Sequence, residues 1–217
     1  MMHFEIFVED ISGKDFLENI IPKILSEHHT FKIHPYKGIG NLPRNLLQVP
    51  DPAQRTLLHH LPSILRAYGK STKHFQQVVV VICDLDRKCL KEFRGELNKV
   101  LETCNPKPET RFCIAIEEGE AWLLGDLDAI KKVYPRAKEN ILSSYVNDSI
   151  CGTWEKLADA VYPGGFQALS KKGFQAIGTE KFKWAEKITP FMLIEQNKSP
   201  SFNYMKTKIQ ELIEAEI

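Results

Sequence analysis

The chain lacks the long apolar runs and the one-sided charge that mark membrane proteins and strong nucleic-acid binders. None of its apolar stretches approaches the ~20 residues that a transmembrane helix needs. Its 29 basic and 28 acidic residues leave a net charge of +1. This near balance argues against an extensive basic surface for binding nucleic acid, but it is compatible with a local basic groove. The opening segment, MMHFEIFVED, has no basic residues ahead of an apolar stretch, so we expect no signal peptide. These absences predict a cytoplasmic protein with no membrane attachment.

Motifs for disulfides, zinc and nucleotides are also missing. The five cysteines are odd in number and form no CxxC pair, so a reducing cytoplasm is the natural compartment. The histidines show no HExxH spacing, which argues against a zinc enzyme. Because the chain contains no GxxxxGK[ST] segment, any nucleotide hydrolysis would have to come from a separate subunit.

The composition and the order of predicted elements favour an α/β fold. With 217 residues, of which 43% are hydrophobic and 26% charged, the chain is long enough to bury a core. Apolar stretches at residues 3–8, 30–36, 78–83 and 111–116 predict strands, and helical patterns separate them. This alternation predicts a Rossmann-like, mostly parallel sheet flanked by helices. From residue 127 the pattern is helical, so we expect a core of residues 1–126 and a helical extension of residues 127–217, packed together as one compact domain.

The stretch of residues 76–87, QQVVVVICDLDR, carries the main functional signal. Its apolar, β-branched run predicts a strand that is buried on both faces. Asp84 and Asp86 follow that run, at the edge where α/β sheets bind ligands. Two acids so close together repel each other unless a cation or a proton lies between them, and their oxygens suit Mg²⁺ or Mn²⁺. The alternative is that one of them caps a helix that begins near Lys88.

Acidic residues also follow two other predicted strands. Glu9 comes directly after the first strand, and the fourth strand runs into EEGEAWLLGD, with acids at positions 117, 118, 120 and 126. A parallel sheet places the carboxyl ends of its strands on one edge, so these acids are expected to converge there. The convergence favours a divalent-metal site over helix caps and solvated charges.

Several longer strings resemble a known family. They are VEDISGKDFLENIIPKIL, CDLDRKC, IEEGEAWLLGD, SICGTWEKLADAVYP and ITPFMLIEQNKSPSF, and together they resemble an uncharacterised prokaryotic TOPRIM-like family, domain of unknown function family 4276. That family looks related to the TOPRIM domains of OLD-type nucleases, whose pattern is a glutamate after the first strand and a later DxD. Here Asp10 stands where the TOPRIM pattern has glycine, so Asp10 is either a further ligand or a sign of diverged chemistry.

The resemblance also implies residue roles. Asp84 and Asp86 would bind Mg²⁺ or Mn²⁺, with Glu9 as a further ligand or as general acid or base. Either Glu118 or Glu120 would complete a second metal position, and Lys14 would contact a phosphate group.

Three functions are compatible with these expectations. The first is metal-dependent phosphodiester hydrolysis of nucleic acid, with a separate ATPase subunit as partner in a prokaryotic defence or DNA-processing system. The second is a non-catalytic interaction module in which the acids are structural. The third is a metal-dependent phosphohydrolase that acts on a small substrate.

Overall fold

A computed structural model describes residues 1–71, 76–149 and 152–215 and shows a parallel sheet flanked by helices. Within these residues the sheet has four strands in the order β2-β1-β3-β4. The strands are β1 (Met2–Val8), β2 (Thr30–Pro35), β3 (Gln76–Asp84) and β4 (Thr110–Ala115), and all neighbouring pairs are parallel. The predicted α/β class, with a parallel sheet and a helical C-terminal part, is confirmed.

Helices connect the strands and make up the C-terminal part. Between the strands lie α1 (Ile11–Ile24), α2 (Leu57–Gly69) and α3 (Leu90–Glu102). After β4 come α4 (Glu120–Leu124), α5 (Leu127–Val133), α6 (Glu139–Leu142), α7 (Thr153–Val161), α8 (Gly165–Ser170), α9 (Phe174–Ile188), a short 3₁₀ helix (Thr189–Phe191) and α10 (Pro200–Glu214). No helix in the described part of the chain is long and apolar enough to cross a membrane.

The sheet separates two hydrophobic cores because successive side chains of a strand point to opposite faces. Val79, Val81 and Cys83 of β3 pack with α2 and α3 on one face. Val78 and Val80 pack on the other face with α1 and with the C-terminal helices, including buried residues of α7, α9 and α10. The predicted core of residues 1–126 and the predicted extension therefore contribute to the same cluster of buried side chains.

The start of α1 shows how the chain turns sharply away from β1. Asp10 caps the helix: the Gly13 amide donates to Asp10 Oδ1 at 2.7 Å, and the Ser12 hydroxyl donates to Oδ2 at 2.8 Å. A Cβ atom at position 13 would lie 2.6 Å from Val8 Cγ2, so only glycine lets α1 approach β1 this closely. A proline inside a helix commonly kinks or ends it, because it has no amide hydrogen. Here α1 continues through Pro22 as one helix.

Apolar residues at helical spacing predict helices over residues 53–68, 181–194 and 204–217, and several of these boundaries were wrong. The second helix begins at Leu57 and not at residue 53, and α9 spans Phe174–Ile188 and not residues 181–194. The last helix begins at Pro200, four residues earlier than predicted, because Ser199 caps it by accepting the Phe202 amide at 3.2 Å. Residues 216–217 of that predicted helix, and Cys151, lie outside the described residues.

Candidate active site at the carboxyl edge of the sheet

A cavity of about 60 Å³ lies at the carboxyl ends of the strands. Four acidic side chains and one basic side chain line it, and they come from separate parts of the chain. They are Glu9 and Asp10 after β1, Asp84 at the end of β3, Glu120 in the first turn of α4, and Lys181 of α9. The structure thus brings together acids from all three strand ends that the sequence singled out.

Glu9 and Asp84 form the centre of the site. Val8 pairs with Ile82 in the sheet, so the two acids lie at the ends of adjacent strands, and both carboxyl groups line the cavity. Burial raises the pKa of Glu9, and the nearby charges of Asp10 and Asp86 raise it further. Burial and the charge of Glu9 raise the pKa of Asp84 well above its usual value. Without a cation this pair favours holding a proton.

One oxygen of the pair lacks a partner. Glu9 Oε2 is buried and accepts no hydrogen bond. A buried polar atom without a partner destabilises the folded state by about 1–3 kcal/mol. A cation or water bound to Glu9 Oε2 would remove this cost. Glu120 Oε2, which belongs to another acid of this cavity, is likewise buried without a hydrogen bond.

Lys181 forms ion pairs with two acids that follow β4. Its Nζ lies 2.5 Å from Glu118 Oε2 and 3.0 Å from Glu120 Oε2. Burial raises the pKa of Glu118 to about 7, with a contribution from the charge of Glu120 and against the opposing effect of Lys181. Burial alone would lower the pKa of Lys181, but the charges of Glu120, Glu118 and Asp84 outweigh it and raise that pKa. Lys181 is therefore a firmly held ammonium group inside an acidic site.

Lys181 was missed in the sequence analysis, although one signal was present. Trp184, Ala185 and Ile188 form the buried stripe of α9, and Lys181 lies three and four residues before the first two. Residues at these spacings share a helix face. A lysine on an apolar stripe that faces the core needs an acidic partner, and here the partners are 61 and 63 residues earlier in the chain.

Asp86 lies outside the cavity that Asp84 lines. Its backbone has φ 52°, its side chain is 53% exposed, and it pairs with Lys88 at 3.5 Å. The structure does not bring Asp86 into the group of cavity-lining acids. Neither aspartate caps the next helix, since Cys89 precedes α3 and no side chain caps it. The helix-cap interpretation of the DxD pair was wrong.

The other acids near the edge have structural partners. Asp10 caps α1, as described above. Glu117 accepts hydrogen bonds from the amides of Gly152 and Thr153 at 2.7 and 2.8 Å, and from the Thr153 hydroxyl at 2.6 Å, which fixes the start of α7. Asp126 caps α5 through the Ala129 amide and also accepts the Leu193 amide at 2.8 Å.

Lys14, the predicted phosphate contact, lies in the first turns of α1. Its Nζ pairs with Glu18 at 3.1 Å, and its side chain is about one-third exposed. Lys14 is not among the residues that line the cavity. It is therefore a partly exposed cation outside the cavity.

The residues present fit one small divalent cation. Among the described residues, no three His, Cys, Asp or Glu side chains form a ready-made metal site. Mg²⁺ commonly needs only one or two carboxylates, since water and substrate phosphates supply its other ligands. The adjacent carboxyl groups of Glu9 and Asp84, with one buried oxygen unpartnered, meet that requirement.

Comparisons with curated proteins and with solved structures give no match. The comparison with protein families does give one. Residues 8–210 match the family described as Domain of unknown function (DUF4276), and because this match covers nearly the whole chain, the protein belongs to that family.

Proposed function

We propose that the protein is a divalent-metal-dependent phosphodiesterase that hydrolyses nucleic acid. The observation that carries the proposal is the half-buried pair of Glu9 and Asp84, which shares a cavity and leaves the buried atom Glu9 Oε2 without a partner. The resemblance to TOPRIM nucleases supports it, since that pattern also combines a glutamate after the first strand with an aspartate after a later one.

Each residue of the site has a chemical role in this proposal. Glu9 and Asp84 would hold Mg²⁺ or Mn²⁺, which when bound would polarise a phosphate ester and neutralise its developing charge. Glu9 would also accept a hydrogen bond from the attacking water, as a general base must. The walls formed by Phe16, Leu17 and Trp122 keep bulk water away, which strengthens electrostatic interactions inside the cavity.

The size of the cavity restricts how a substrate binds. A volume of about 60 Å³ accepts a cation with a few waters, but not a nucleoside. The scissile phosphate must therefore reach the site from the rim while the rest of the strand lies outside. Lys14 and Arg87 lie at this edge, as partly exposed and exposed cations, and they would contact neighbouring phosphates. A separate ATPase subunit, acting with the chain in a prokaryotic defence or DNA-processing system, is part of the proposal.

Cleavage assays with matched variants test this function. Wild-type protein should cleave single- or double-stranded DNA or RNA with Mg²⁺ or Mn²⁺ and be inactive with a chelator. Asp84→Asn and Glu9→Gln should each lower the rate by at least ~100-fold. Asp86→Asn is the matched control: it changes a neighbouring acid that lies outside the cavity, and we expect a loss below about tenfold. Equal activity of the Asp84 variant and wild type would refute the proposal.

A non-catalytic interaction module is the second candidate. The ion pairs of Lys181 with Glu118 and Glu120 favour it, because they show that acids at this edge also tie the C-terminal helices to the sheet. If wild-type protein neither binds Mg²⁺ or Mn²⁺ nor cleaves any polynucleotide, the module is preferred. Hydrolysis of a chromogenic phosphate ester without cleavage of polynucleotides would instead identify a phosphohydrolase with a small substrate, as the narrow cavity also allows.

A further inference from the structure

The position expected for a second metal ion contains an ammonium group. The resemblance implied that Glu118 or Glu120 would complete a second metal position. In the structure Lys181 Nζ lies between their carboxylates, 2.5 Å from one and 3.0 Å from the other. A compact cation therefore already pairs with the two acids that a second ion would need.

The packing around Lys181 holds this ammonium in place. The Glu120 side chain is 8% exposed and that of Lys181 is 22% exposed, so solvent screens their interaction weakly. The helix that carries Lys181 is anchored by Trp184 and Ile188, which are fully buried.

The ammonium group occupies the space that a second divalent ion would need. Asp10 also lines the cavity but caps α1, and Lys181 is the one cationic side chain lining the cavity in the described part of the chain. A second divalent ion would have to sit directly against the ammonium, which Coulomb repulsion opposes strongly at low dielectric.

We propose that Lys181 takes the place of a second metal ion, so that the site holds one divalent cation, at Glu9 and Asp84. The inference rests on the proposed metal-dependent function and specifies it: the chemistry uses one metal ion and one fixed ammonium. Lys181 acts here as a positioning residue that keeps Glu118 and Glu120 from binding metal.

Titration calorimetry with Mn²⁺ on the full chain tests the number of ions bound. Wild type should bind one equivalent. Lys181→Met removes the ammonium and keeps most of the apolar stem, so this variant should bind two equivalents. In electron paramagnetic resonance the pair of ions in the variant should show spin coupling, which the single ion of wild type lacks. Lys183→Met is the matched control, since Lys183 is an exposed lysine on the same helix that pairs with Glu180; it should bind one equivalent.

The outcomes separate this inference from the proposed function. Two equivalents in wild type, or one in both wild type and Lys181→Met, would overturn the inference while leaving a metal-dependent enzyme intact. No binding by wild type would overturn both.

A second variant covers the case in which Lys181→Met does not fold. Lys181→Gln removes the positive charge but keeps a hydrogen-bond donor for Glu118 and Glu120, so it disturbs the packing less. It should bind two equivalents of Mn²⁺. One equivalent in this folded variant would overturn the inference.

Discussion

Replacing Glu118 with glutamine should raise the unfolding free energy of the metal-free protein relative to wild type. This gain should be larger at neutral pH than at acidic pH. Burial raises the pKa of Glu118 from 4.5 to about 7. A carboxyl group whose pKa is raised by folding stabilises the folded state below the unfolded pKa, and this contribution is lost as pH rises through the folded pKa. Glutamine does not titrate, so the stability of the variant does not fall in this way as pH rises.

The size of the effect follows from the two pKa values. One pKa unit corresponds to about 1.4 kcal/mol, so between pH 4.5 and 7 wild type should lose about 3 kcal/mol of unfolding free energy relative to Glu118→Gln. The Glu118 side chain is only 19% exposed, so solvent screening removes little of this. A change of this size is a large part of the ~5–15 kcal/mol that stabilises a typical domain.

Urea unfolding with a chelator present measures the difference. Tryptophan fluorescence is a suitable probe, since Trp122 and Trp184 are buried in the core that packs against the site. Unfolding free energies of both proteins should be compared at pH 4.5, 5.5, 6.5 and 7.5. Glu211→Gln, at an exposed acid of α10 paired with Lys208, is the control and should change stability by less than about 0.5 kcal/mol at each pH. A difference between Glu118→Gln and wild type that stays constant across the series would refute the reasoning.

Three further substitutions test the packing around the site. Phe202→Ala should destabilise the protein by about 3–5 kcal/mol in urea unfolding, because Phe202 is fully buried; a single transition is expected, whereas two would show that the C-terminal part unfolds separately. Asp126→Ala should cost about 1–3 kcal/mol, since it leaves the amides of Ala129 and Leu193 without their acceptor, and Asp126→Asn should lose less. Gly13→Ala should destabilise by about 1–3 kcal/mol and weaken Mn²⁺ binding in calorimetry, because the added methyl group would push α1 away from the start of the site; unchanged stability and affinity would contradict this.

The sheet and the position of the central acids could be predicted from the sequence because both depend on local patterns. The apolar run of residues 78–83 is long enough for a strand and too short to cross a membrane, and its residues are buried as expected. The parallel arrangement then places Glu9 and Asp84 on one edge without further information. Their burial and their shared cavity follow from that placement.

The rest of the site depends on tertiary structure. Asp84 and Asp86 look equivalent in the DxD pattern, but a left-handed backbone conformation at Asp86, with φ 52°, places that side chain in solvent. Lys181 reaches Glu118 only because α9 packs against α1 and α4. Neither the turn conformation nor the contact across more than 60 residues of chain leaves a periodic signal.

The chain cannot be cut after residue 126 without changing the acidic edge, because α9 contributes Lys181 to it. A fragment that ends at residue 126 would keep Glu9, Asp84, Glu118 and Glu120 but lose Lys181, and it would expose the apolar face of α1 that the C-terminal helices cover. We expect such a fragment to aggregate and to have a carboxylate edge without its ammonium partner. The C-terminal half therefore forms one unit with the sheet, because its lysine and the acids after β4 make the same ion pairs.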